Sequence, residues 1–163
     1  MAAGPTYEPI ATNTLGSATA SVTFSSISGS YTDLILVANN LVDTNGYCFL
    51  RYNNDSGSNY SRTFIVGTGS AANSFRSSNQ TQIDFNARTS GTGYLNKIQI
   101  MDYSNTTTYK SALIRSDMAT AETDAFVTLW RSTSAITEIN IISPSGSGIQ
   151  AGSTFTLYGI SAA

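Results

Sequence analysis

Gln82-Ile83-Asp84-Phe85-Asn86-Ala87 alternates strictly, with Ile83, Phe85 and Ala87 on one side and Gln82, Asp84 and Asn86 on the other. In an extended chain successive side chains point to opposite faces, so this hexapeptide reads as a strand with one dry face and one wet face. The same period recurs in Tyr7 to Leu15, Ser21 to Ile27, Asp33 to Ala38, Tyr47 to Tyr52, Tyr94 to Tyr103, Ser111 to Ser116, Phe126 to Arg131, Ile136 to Ile142 and Thr154 to Ile160. Short β-branched runs separated by Gly, Asn, Ser and Asp, with almost no helical spacing, point to an all-β antiparallel sandwich of about ten strands with little helix.

Leu34-Ile35-Leu36-Val37 and Phe126-Val127-Thr128-Leu129-Trp130 are apolar on both faces. That pattern suits central strands covered on one side by the opposing sheet and on the other by a loop, subunit or partner. Trp130, the only tryptophan, reads as a core anchor. Two stretches resist a strand reading. Asn53 to Asn79, rich in Asn, Ser and Gly, reads as a long crossover or irregular excursion, and Asp117 to Ala125 as a loop or one short turn of helix. Ser143-Pro144-Ser145-Gly146-Ser147-Gly148 is a turn ahead of the last strand.

The 163 residues suit one domain, 1–163, able to bury roughly two thirds of its unfolded surface, with residues 1–6 as an N-terminal arm. Charged residues make up only 11% of the chain, well below the usual quarter or so, so hydroxyls and amides carry solubility. A net charge of −2 offers no basic field to a phosphate backbone, and no nucleic-acid partner is expected. No apolar run reaches the ~18 residues of a membrane span and the start lacks a signal-peptide pattern, so synthesis in a cytoplasm without export is expected.

The chain contains no histidine and one cysteine. A Ser-His-Asp triad is therefore excluded, and the commonest metal ligand is missing. Cys48, within Tyr47-Cys48-Phe49-Leu50, reads as a small buried hydrophobe. Asn53 to Asn59 superficially resembles an oxygen-rich calcium loop, but it lacks further carboxylates and Asx-turn chemistry explains it without a metal. The ten acids, Glu8, Asp33, Asp43, Asp55, Asp84, Asp102, Asp117, Glu122, Asp124 and Glu138, include no pair that spacing alone would assign to glycoside cleavage. Gly67-Thr68-Gly69-Ser70 and Gly91-Thr92-Gly93 carry no phosphate-binding lysine. No cofactor and no metal are expected.

Tyrosine presents an apolar ring with a polar tip and serves contact surfaces. Tyr52 and Tyr60 flank the Asn-rich loop, and Tyr103 and Tyr109 flank a hairpin tip at Ser104 to Thr108. The expected contact surface is Tyr52, Asn54, Asp55, Asn59, Tyr60, Tyr103, Asn105 and Tyr109.

Tyr7 to Leu15, Ser30 to Val37, Met101-Asp102-Tyr103-Ser104-Asn105-Thr106-Thr107-Thr108-Tyr109-Lys110, Leu129-Trp130-Arg131-Ser132 and Gly152 to Ile160, in this order, resemble a family of small tailed-bacteriophage virion proteins. The likeness runs from near residue 7 to the end. It implies a sandwich of jelly-roll type on the virion surface, with no catalytic residues to transfer. The expectation that follows is a non-enzymatic capsid decoration (cement) protein, a homotrimer bound to the major capsid protein. The alternative is a receptor-binding tail or head fibre domain whose loops hold host glycan. An enzyme that degrades glycan through a carboxylate pair is the third reading.

Overall fold

The computed structural model describes residues 6–42, 47–85, 93–118, 122–144 and 148–161. Its twelve strands are β1 (Tyr7–Thr14), β2 (Ser21–Phe24), β3 (Asp33–Asn40), β4 (Phe49–Tyr52), β5 (Tyr60–Gly67), β6 (Ala72–Gln80), β7 (Ile83–Asp84), β8 (Tyr94–Met101), β9 (Lys110–Met118), β10 (Glu122–Trp130), β11 (Ile139–Ile142) and β12 (Thr154–Ile160). Among the described residues there is no helix. An eight-stranded antiparallel sheet, in the order β1-β12-β3-β8-β9-β10-β5-β6, faces a four-stranded one, β2-β11-β4-β7. The all-β sandwich expected from the alternation is what forms.

The connectivity is that of a jelly roll with two insertions. Without β5, β6, β9 and β10, the remaining eight strands pair as β1-β12-β3-β8 and β2-β11-β4-β7, and the chain passes from sheet to sheet as two Greek keys. The hairpin β5–β6 interrupts the connection from β4 to β7. The hairpin β9–β10 interrupts that from β8 to β11. Both insertions extend the larger sheet beyond its jelly-roll half.

Leu34, Leu36 and Ala38 of β3 meet Ile139, Ile141 and Leu50 from the opposite sheet in one buried cluster that also holds Cys48, Ile98, Ile100, Phe155 and Leu157. Such a core, at about 25 cal/mol per Å² of apolar surface removed from water, is the main stabilising term. Tyr52 of β4, Tyr60 of β5 and Trp130 of β10 join the sheets at one end, with ring centroids 5.6 to 6.3 Å apart. Burial pushes the Cys48 thiol up to about 12, against a hydrogen bond from Asn40. A thiol in that state is a core hydrophobe and not a nucleophile.

Two sequence expectations are corrected. The excursion Asn53 to Asn79 contains most of a hairpin, β5 and β6, paired through Phe64↔Phe75 and Arg62↔Ser77. Its pattern is masked because Arg62 occupies an inward position, neutralised by Asp84 at 3.1 Å, and because β6 is exposed on both faces, where burial imposes no alternation. The described residues of Asp117 to Ala125 are strand and not loop or helical turn, since β9 runs to Met118 and β10 starts at Glu122. Ser116 and Asp124 take inward positions there, so the apolar signal disappears. Among the described residues nothing covers the second face of Phe126 to Trp130, where Val127 is 56% exposed.

Asn86, Ala87, Asp43, Gly91, Thr92, residues 1–5, the tip 119–121 and the middle of the Ser143–Gly148 turn lie outside the described residues.

Candidate functional site

The Asn-rich loop after β4 is built for structure. Asn53 and Asn54 both adopt positive φ, 50° and 54°, a conformation that asparagine tolerates better than most residues. Asn53 Oδ1 accepts the N–H groups of Thr137 and Glu138 at 2.9 and 3.1 Å, tying the loop to the start of β11. Asp55 Oδ1 accepts Gly57 N–H at 2.7 Å, the Asx turn that the sequence suggests. Its Oδ2 accepts Trp130 Nε1–H at 2.7 Å and Asn59 Nδ2–H at 2.9 Å. Burial alone would raise the Asp55 carboxyl, but the hydrogen bonds from Trp130, Asn59 and Gly57, aided by Arg51, hold it below the ordinary value.

Three members of the expected contact surface are corrected by burial. Tyr52, Tyr60 and Tyr103 are at most 1% exposed and cannot meet a partner. Tyr60 donates its hydroxyl hydrogen bond to Asp55 O at 3.1 Å and accepts Tyr52 N–H at 3.1 Å. Tyr103 donates to Ser28 O and, just beyond the end of β8, lies at the same end of the sheet as Trp130 and Tyr60. Asp55 and Asn59 are half-buried in their network, while Asn54 is exposed. Asn105 spends its Oδ1 on the N–H groups of Thr107 and Thr108 at 2.6 and 2.9 Å, shaping the β8–β9 hairpin tip. Tyr109 remains well exposed at that tip. The eight residues thus divide between two loop scaffolds at one end of the sandwich, with Tyr52, Tyr60 and Tyr103 buried inside them.

Lys110 is a buried cation that sequence reasoning did not single out. Its Nζ donates to Thr108 O at 2.8 Å and Thr133 O at 3.3 Å. Burial lowers the ammonium's pKa, against the pull of Asp102. Most described acids are likewise engaged: Asp84 with Arg62, Asp117 with Arg115, Asp33 with Gln99, and Glu138 with Asn140. Asp124, 5% exposed, differs. Its Oδ1 has no hydrogen-bond partner, and burial, with Glu122 and Asp117 nearby, raises the carboxyl to about 6.

The candidate contact site lies on the outer face of the eight-stranded sheet. Register aligns two rows across β8, β9, β10 and β5: Gln99–Leu113–Val127–Thr63 and Lys97–Arg115–Ala125–Ile65. They line a shallow groove of about 510 Å³. Leu95, Leu113, Val127 and Ile65 are each 45 to 58% exposed. Four aliphatic side chains uncovered on one sheet face form the kind of patch that a partner covers.

Lys97 and Arg115 are direct cross-strand partners inside this aliphatic field. Like charges directly opposite destabilise a sheet unless something offsets them. Asp117 does so in part, accepting Arg115 at 3.1 Å, but the described residues place no carboxylate on Lys97. The face therefore suits an aliphatic surface that brings an acid of its own. Its sequence signal was the doubly apolar run Phe126 to Trp130, joined by Leu113 in Ser111 to Ser116; the attention paid to tyrosine obscured it.

No family model matches the chain, and no curated protein does. Among solved structures, a variant of the alginate lyase Aly36B in complex with alginate tetrasaccharide is 13% identical, with a TM-score of 0.36 over 93% of this chain and 80% of that one. The galectin LEC-6 of Caenorhabditis elegans is 11% identical, with a TM-score of 0.34 over 93% of this chain and 96% of that one.

Proposed function

We propose that this protein is a non-enzymatic virion structural protein, a decoration (cement) protein that seats the outer face of its eight-stranded sheet on the capsid. One observation carries the reading: a sheet face with Ile65, Leu95, Leu113 and Val127 uncovered around the Lys97–Arg115 pair. The resemblance of the chain to small tailed-phage virion proteins supports it independently. Burying the four aliphatic side chains would contribute several kcal/mol at about 25 cal/mol per Å². An acidic group of the major capsid protein, placed on Lys97, would fix register more than affinity.

The test uses particles stripped of the protein. Adding back the wild-type chain should raise the temperature at which they release their genome, and the Leu113→Asp/Val127→Asp variant, folded by circular dichroism, should not. Unchanged particle melting with the wild-type chain would count against cementing. Binding to a host-glycan array in that case would assign the chain to receptor recognition on a fibre.

A further inference from the structure

The two sheets present four edges, and three of them are guarded. β1 carries Glu8, Pro9 and a register shift between Pro9 and Ala11, while β2 and β7 are only four and two residues long. Charge, proline, bulges and shortness are the devices that keep open edges from pairing. β6 has almost none of them. It is nine residues long, free of proline and lysine, and charged only at Arg76. Its one register shift is confined to the Gln80 end. Among the described residues, no backbone group from Ala72 to Ser77 takes a hydrogen-bond partner beyond those shared with β5.

A second asymmetry lies on the inner face beside that edge. Phe126, Phe64 and Phe75 are direct cross-strand partners, stacked with centroids 5.0 and 5.2 Å apart. Phe126 is buried and Phe64 half-buried, but Phe75, the last ring, is 51% exposed. The row stops at an open edge with one ring uncovered.

We infer that β6 pairs antiparallel with β6 of a second copy, about a two-fold axis that sets Phe75 opposite the Phe75 of that copy. The edge is self-complementary in this register. Phe75 meets its symmetry mate and continues the aromatic row across the axis, Asn73 meets Ser77, and Ser74 meets Arg76, so the only charge on each strand faces a hydroxyl. Aromatic cross-strand pairs stabilise sheets beyond their buried area. A two-fold contact closes on itself, whereas pairing β6 with the guarded β1 edge would grow without end. The two Arg76 side chains sit diagonally, an exposed repulsion that salt screens. The geometry favours a pair over the trimer expected from the sequence, and it does not depend on capsid binding.

Sedimentation of the purified chain over a range of concentrations, without particles, tests this. The expected species is a concentration-dependent dimer that tightens with added salt. Ser74→Lys places like charges opposite each other twice, across from each Arg76, and should weaken the dimer about tenfold. Ser74→Glu at the same exposed position should tighten it severalfold. A monomer at every concentration, a trimer, or a dimer indifferent to both substitutions overturns the inference.

Discussion

Replacing Asp55 with alanine should cost more than its half-exposed position suggests, because the carboxylate is the acceptor for a buried indole. Trp130 is 2% exposed and gives its Nε1–H to Asp55 Oδ2 at 2.7 Å. In Asp55→Ala that donor stays buried without a partner, which costs about 1–3 kcal/mol. The Gly57 and Asn59 hydrogen bonds that close the turn are lost as well, adding about 1 kcal/mol. The expected loss is therefore about 2–4 kcal/mol. In Trp130→Phe the donor leaves with its ring, while Asp55 keeps Gly57 and Asn59. The double variant then isolates the pair, and a charge-assisted hydrogen bond of this kind should appear as a coupling of about 1.5–3 kcal/mol.

Urea denaturation monitored by far-ultraviolet circular dichroism gives all four corners of the cycle. A coupling below about 0.5 kcal/mol would refute the view that this bond organises the loop. The pH dependence gives a second check. The Asp55 pKa is held below its unfolded value of 3.8, so its contribution is fully present above about pH 4 and is lost as pH falls further. In the wild type the fluorescence of Trp130, the only tryptophan, should report that acid transition.

Other perturbations discriminate equally simply. Tyr52→Phe removes a buried hydroxyl that has no partner and should be neutral or stabilising by up to about 1 kcal/mol, whereas Tyr60→Phe removes a bonded one and should destabilise by about 1–2 kcal/mol in the same urea assay. Asp124→Asn should stabilise the fold by about 1–2 kcal/mol at pH 7.5 and by nothing near pH 3; the raised carboxyl makes wild-type stability fall as pH climbs from 3.8 to about 6. Gly159→Ala would place a Cβ 2.3 Å from the Tyr31 ring and should lower the melting temperature by several degrees, a shift that calorimetry would show.

Where one face of a strand is buried and the other wet, the fold was legible in the sequence. β8 buries Tyr94, Asn96, Ile98 and Ile100 alternately, and β12 buries Phe155 and Leu157 in the same way. The strands that escaped notice are those whose inward positions are polar, such as Arg62 in β5, or whose faces are both exposed, as in β6. Periodicity reports burial and not extension, so an edge strand leaves no such trace. The candidate site was half legible. Val127 and Leu129 announced a strand needing cover on both faces, but that Lys97 and Arg115 become neighbours depends on the β8–β9 register, which spacing does not fix. The tyrosines misled for a related reason: a phenol can finish its hydrogen bonds inside a loop scaffold, as Tyr60 and Tyr103 do.

The central claim is that the outer face of the eight-stranded sheet meets the capsid, and locating the protein in a density map of intact particles tests it most directly. The account predicts density in which Leu113, Val127 and Ile65 lie against the major capsid protein, with an acidic capsid side chain near Lys97. Particles without this density, or with that face turned to solvent, would contradict it.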